Sequence, residues 1–141
     1  MRDEVKSVLL VGVGGQGTIL ASKILTSGLI TAGYDVKMSE VHGMSQRSGS
    51  VSTQVRCGRK VYSPIIGEGQ ADVLVAFETM EAIRALPYLK PDGIAVVNDF
   101  QMPSMPILSG EREYPDNILE EIRSRVQTIS LDAAALANTC G

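Results

Sequence analysis

Apolar and polar positions follow two rhythms along this chain, and the switches between them mark its elements. Residues 7–11, Ser-Val-Leu-Leu-Val, are a short and almost wholly apolar run, as expected of a strand buried on both faces. Six residues later the rhythm becomes helical. From Thr18 to Leu29 the apolar positions recur at helical spacing, with Ile19, Leu20, Ile24 and Leu25 on one side. Residues 36–40 predict a second strand. Val51, Thr53 and Val55 alternate with Ser52, Gln54 and Arg56, the period of a half-buried strand. Gly58-Arg59-Lys60 predicts a turn, with Val61-Tyr62-Ser63 as the hairpin partner that Pro64 ends.

Further on, residues 71–77 and 94–98 are apolar enough for buried parallel strands. Between them residues 80–89 read as a helix, followed by a Pro91-Asp92-Gly93 turn. Residues 100–113 hold Pro103 and Pro106 and predict an irregular excursion. Asn117 and Glu120 have the spacing of a capping box opening a helix that runs to Arg125. Residues 126–131 are a final strand, and Asp132 caps a last helix. Strands and helices alternate apart from the early hairpin. This order predicts an α/β fold: a doubly wound, mostly parallel, Rossmann-like sheet with helices on both faces.

Between the first strand and helix stands Gly12-Val13-Gly14-Gly15-Gln16-Gly17. Strand, glycine turn, helix is the context that gives this spacing meaning. Gly12 is expected to permit the turn, Gly14 to let backbone approach a ligand, and Gly17 to let helix and strand pack closely. The amides at the helix N-terminus then make a site for an anion. Glu40 lies 23 positions beyond Gly17. There it either grips a ribose hydroxyl, as in dinucleotide-binding folds, or belongs to the polar loop that follows, as a partner of Arg47 or of another chain. That loop gathers Glu40, His42, Ser45, Gln46 and Arg47 between glycines at a strand's C-terminal end, the edge where open α/β sheets bind ligands. Arg47 is suited to a phosphate or carboxylate, and His42 to proton exchange near neutral pH.

Composition narrows the classes. At 141 residues the chain is read as one domain, 1–141. The net charge of −3, the absence of tryptophan and the lack of a basic stripe argue against nucleic acid and anionic membrane as partners. Two cysteines, Cys57 and Cys140, are too few for an iron–sulfur cluster, and one histidine argues against zinc. No apolar run reaches the roughly 20 residues of a membrane span, and the charged start Met1-Arg2-Asp3-Glu4 is unlike a signal peptide. A cytoplasmic protein is expected.

Five stretches, in this order and spacing, give the chain a family likeness. They are residues 11–17 with the glycines, the block Ser39-Glu40-Val41-His42-Gly43-Met44-Ser45-Gln46-Arg47, then residues 61–64, 71–78 and 86–91. The set resembles the gamma-type subunit of 2-oxoacid:ferredoxin oxidoreductases, and within that family the beta subunit of indolepyruvate ferredoxin oxidoreductases. The resemblance covers nearly the whole chain, and the block around His42 is its most specific part. It implies a cluster-free component of an oxidoreductase, with no catalytic residue and no metal of its own. Thiamine diphosphate and the iron–sulfur clusters would lie in a large (alpha) partner subunit, ferredoxin would accept electrons through the complex, and coenzyme A would take the acyl group. The gamma-type domain would assist coenzyme A binding or assembly, through Gly12, Gly14, Gly15, Gln16, Gly17, Glu40, His42, Ser45, Gln46 and Arg47. Two departures stand out: Ser48-Gly49 where the family commonly has Gly-Gly, and the lack of the family's usual C-terminal extension. A free-standing NAD(P)-binding module and a purely structural subunit are the alternatives.

Overall fold

A computed structural model describes residues 4–42 and 49–141. Among these residues one six-stranded sheet has the order β2-β3-β1-β4-β5-β6. Strands β1 (Lys6–Val13), β4 (Ala71–Ala76), β5 (Leu89–Asn98) and β6 (Gln127–Leu131) are parallel neighbours. Strand β3 (Ser50–Gly58) is antiparallel both to β1 and to β2 (Asp35–His42). The sheet is thus mostly parallel with an antiparallel hairpin, as the alternation of elements predicts.

The hairpin is not the expected one. Residues 61–63 are irregular, because both edges of β3 are already taken by β1 and β2. The backbone of this segment is satisfied by side chains instead. The Val61 amide donates to Asp35 Oδ2 at 2.8 Å, and the Ser63 carbonyl accepts from Arg56 Nη1 at 3.1 Å.

Helix α1 (Thr18–Thr31) lies over β1, β3 and β2. Helices α2 (Thr79–Ala85) and α4 (Ile118–Arg125) pack together across the opposite face. There Leu9, Val11, Leu74, Ala76, Ala95 and Val97 of the sheet meet Ala82, Ala85, Ile118 and Ile122. All are nearly inaccessible, so burial on this face supplies most of the hydrophobic driving force. The expected helix over 80–89 ends early: after α2 come a single 3-10 turn, Leu86–Tyr88, and then β5. The excursion contains a short helix α3 (Met105–Leu108), and the chain closes with α5 (Ala133–Cys140). Asp132 caps α5 as predicted, accepting from the Ala135 amide at 2.9 Å. Asn117 does not act as a capping box: it adopts φ 56° and makes no side-chain cap.

Helix α1 is turned differently from its expected apolar side. It buries Thr18 and Ser22, while Leu20 is 63%, Ile24 66% and Ile30 57% exposed. Apolar residues stand on all sides of this helix, so its period does not single out an inner face.

Candidate functional site

The C-terminal ends of β1 and β3's partners define one edge of the sheet, and the glycine turn crosses it. Gly12 is the last-but-one residue of β1. A Cβ there would come within 2.7 Å of Thr18 Oγ1 and 3.1 Å of Phe77 Cβ, closer than packed atoms allow. Gly12 therefore provides the close approach of helix and strand. Gly17 does the opposite of its expected part: a Cβ there meets nothing within 4 Å, but its φ is +84°, as Gly15's is +95°. These two glycines make the turn, in a left-handed conformation that side chains disfavour.

The turn is held from both sides. The Gly14 amide donates to the Gly49 carbonyl at 2.9 Å. The Gln16 side chain folds inward, accepting from the Val13 amide at 2.8 Å and donating to the Phe77 carbonyl at 3.1 Å. Gln16 thus ties the end of β1 to the end of β4, and its amide is engaged within the fold.

Helix α1 begins directly at this turn. Its first backbone bond from outside the helix proper runs from Ala21 N–H to the Gly17 carbonyl at 2.9 Å, so the amides of residues 18–20 stand at the open end. No side chain caps it and no acid lies in its first turn. Its positive end is uncompensated locally, which favours an anion. Thr18 is 3% exposed, and its hydroxyl has no hydrogen-bond partner among the described residues.

The cleft in front of the turn measures about 530 Å³ and is lined by Val13, Gly14, Gly15, Gly17, Thr18, Ile19, His42 and Val51. That is large enough for a small-molecule group, since such sites run from about 300 to 1,000 Å³. His42 reaches it by register. It pairs with Val51, which pairs in turn with Gly12, and directly opposed residues share a face. Three of the predicted glycines and the predicted histidine are thereby brought together.

Glu40 is placed elsewhere. It pairs with Thr53, and Thr53 with Leu10, so β3 separates it from β1. At roughly 4.8 Å per strand it stands about 10 Å from β1 rather than beside it. The simple strand–helix–strand unit that would aim this acid at a ribose is absent, because β2 does not pair with β1. Glu40 does not line the cleft. Ser45, Gln46 and Arg47 lie outside the described residues. Sequence reasoning missed Val13, Thr18, Ile19 and Val51; the position of Thr18 immediately after the last glycine was the available signal.

Cys57 is free and buried, and burial, with Asp72 nearby, pushes its thiol up from its ordinary value. Among the described residues no group of three or more His, Cys, Asp or Glu is placed to hold a metal. No helix among them is long and apolar enough to cross a membrane.

Comparison with known proteins bears on the same residues. The family model described as pyruvate ferredoxin/flavodoxin oxidoreductase matches residues 7–141. The indolepyruvate oxidoreductase subunit IorB of Pyrococcus horikoshii is 40% identical over 141 residues, covering 96% of this chain and 69% of that protein. IorB of Methanothermobacter thermautotrophicus is 38% identical over 125 residues, covering 87% of this chain and 63% of its own length. The chain thus spans about two thirds of these relatives. In fold it is similar to the pyruvate oxidoreductase subunit PORC of Thermotoga maritima, with a TM-score of 0.68 at 19% identity, covering 96% of this chain and 66% of that one. It is also similar to part of 2-oxoglutarate:ferredoxin oxidoreductase from Magnetococcus marinus, with a TM-score of 0.69 at 20% identity, covering 97% of this chain and 21% of that one. With a family match over nearly its whole length and relatives at this identity, the chain belongs to the pyruvate ferredoxin/flavodoxin oxidoreductase family.

Proposed function

We propose that this chain is the small, cluster-free subunit of an indolepyruvate-type 2-oxoacid:ferredoxin oxidoreductase. It forms one gamma-type domain over residues 1–141 and works in the cytoplasm beside a large subunit. That partner holds thiamine diphosphate and the iron–sulfur clusters, which decarboxylate the 2-oxoacid and pass electrons to ferredoxin; coenzyme A accepts the acyl group. The observation that carries the reading is the 40% identity to an IorB subunit across 96% of the chain.

The chain's own part is binding. The uncapped start of α1, the turn of Gly14, Gly15 and Gly17, and His42 form an end of the cleft suited to a phosphate of coenzyme A. Gly12 and Gln16 shape that end from behind. Glu40, Ser45, Gln46 and Arg47 flank the approach or meet the large subunit.

The test is kinetic and uses the two-subunit complex. His42→Ala and Arg47→Ala are each expected to raise KM for coenzyme A by about tenfold, the worth of one charge-assisted hydrogen bond. Binding of the 2-oxoacid should be unaffected. A coenzyme A KM unchanged in both variants contradicts this role.

A further inference from the structure

Two carboxylates are buried one turn apart at the start of α2. Glu78 is 1% and Glu81 8% exposed. Burying a charge is costly unless its partners are well made, so the partners show what these acids hold. Glu78 caps α2, accepting from the Glu81 amide at 2.9 Å. Glu81 reaches the other way, out of its own helix and across the sheet. Its Oε2 accepts from Ser50 Oγ at 2.8 Å, and its Oε1 from Arg84 Nη1 at 3.0 Å.

Ser50 is the first residue of β3. Its neighbour Gly49 is gripped by the glycine turn through the 2.9 Å bond from the Gly14 amide. The start of β3 is thus held from two directions: by the turn that forms the cleft, and by a buried acid from α2. Val51, next in line, is itself a wall of the cleft.

From this geometry we infer that Glu81 is a positioning residue, which fixes Gly49, Ser50 and Val51 against the glycine turn through the Ser50 hydroxyl. It touches no ligand. It acts by setting the cleft wall, and its bearing on coenzyme A rests on the function proposed above. Arg84, 56% exposed at its side chain, serves as the counter-charge and not as the clamp.

The experiment compares wild type, Ser50→Ala, Ser50→Thr, Glu81→Gln and Arg84→Ala in the two-subunit complex. Hydrogen exchange is read on a peptide covering 49–53, and KM and kcat are read for coenzyme A. Ser50→Ala is expected to speed exchange in this peptide about tenfold, the effect of losing one hydrogen bond to a carboxylate. KM for coenzyme A should rise several-fold while kcat stays within about twofold. Ser50→Thr, which keeps the hydroxyl, should restore both, and Arg84→Ala should leave both near wild type. Glu81→Gln, which keeps an acceptor, should fall between wild type and Ser50→Ala. Unchanged exchange in Ser50→Ala overturns the inference, as does an Arg84→Ala effect equal to that of Ser50→Ala. Faster exchange with an unchanged KM upholds the clamp and counts against the coenzyme A reading alone, so the two fail separately.

Discussion

At the scale of single residues, the glycines of the turn divide their labour in a way that spacing alone does not reveal. Gly12 is needed for space and Gly17 for backbone conformation. The two requirements predict different responses to one methyl group. Gly12→Ala must push Thr18, Gln16 and Phe77 apart, at a cost of about 1–3 kcal/mol for overpacking. Gly17→Ala meets open space and costs roughly 1–2 kcal/mol for its left-handed conformation. Chemical denaturation of the single variants checks this. A Thr18→Ala background, which removes the Oγ1 atom that a Cβ at position 12 would meet at 2.7 Å, should recover part of the Gly12→Ala loss and leave the Gly17→Ala loss unchanged. Equal response of both variants to that background contradicts the division.

At the scale of elements, apolar runs made most strands legible. Residues 7–11, 71–76 and 94–98 lie in parallel strands of the central sheet, since a strand buried on both faces must be apolar throughout; of these expected runs only Phe77 falls outside. Pairing was less legible. Alternation at 51–56 announced a half-buried strand but could not say that it would slip between β1 and β2, for period carries no partner. The same gap displaced Glu40 from its expected place and left residues 61–63 without a strand to join. Helix α1 hid its inner face because apolar residues surround it.

The excursion after β5 is anchored through contacts that no local pattern announced. The Tyr114 hydroxyl meets Glu78 Oε1 and lies 2.7 Å from Thr79 Oγ1, and the Met102 amide donates to the same Glu78 oxygen at 3.3 Å. Burial, reinforced by Glu78, pushes the Tyr114 phenol from 10.0 up to about 12. Because the folded value is raised, this group's contribution to stability is intact below pH 10 and is lost as pH rises through about 12. Tyrosinate absorbance should therefore show one of the four tyrosines ionising late, and Tyr114→Phe should abolish that step and flatten the alkaline fall in stability. A late step that persists in Tyr114→Phe contradicts the anchoring.

At the scale of the whole molecule, the described residues form one mixed sheet with helices on both faces and a cleft at the start of α1. The hydrophobic core sits under α2 and α4, and acids hold segments in place. The family was legible in the sequence through the block around His42, which is more particular than the glycines. The structure places His42 and the turn against one cleft; Ser45, Gln46 and Arg47 lie outside the described residues. Membership of the oxidoreductase family and the likeness to IorB subunits fit a subunit of a larger enzyme. The most direct measurement is co-expression with the large subunit, followed by pull-down and an assay of indolepyruvate- and coenzyme A-dependent ferredoxin reduction. The account predicts a stable complex whose turnover requires this chain, with no turnover by the chain alone. Failure to form that complex, or full activity of the large subunit without this chain, would contradict it.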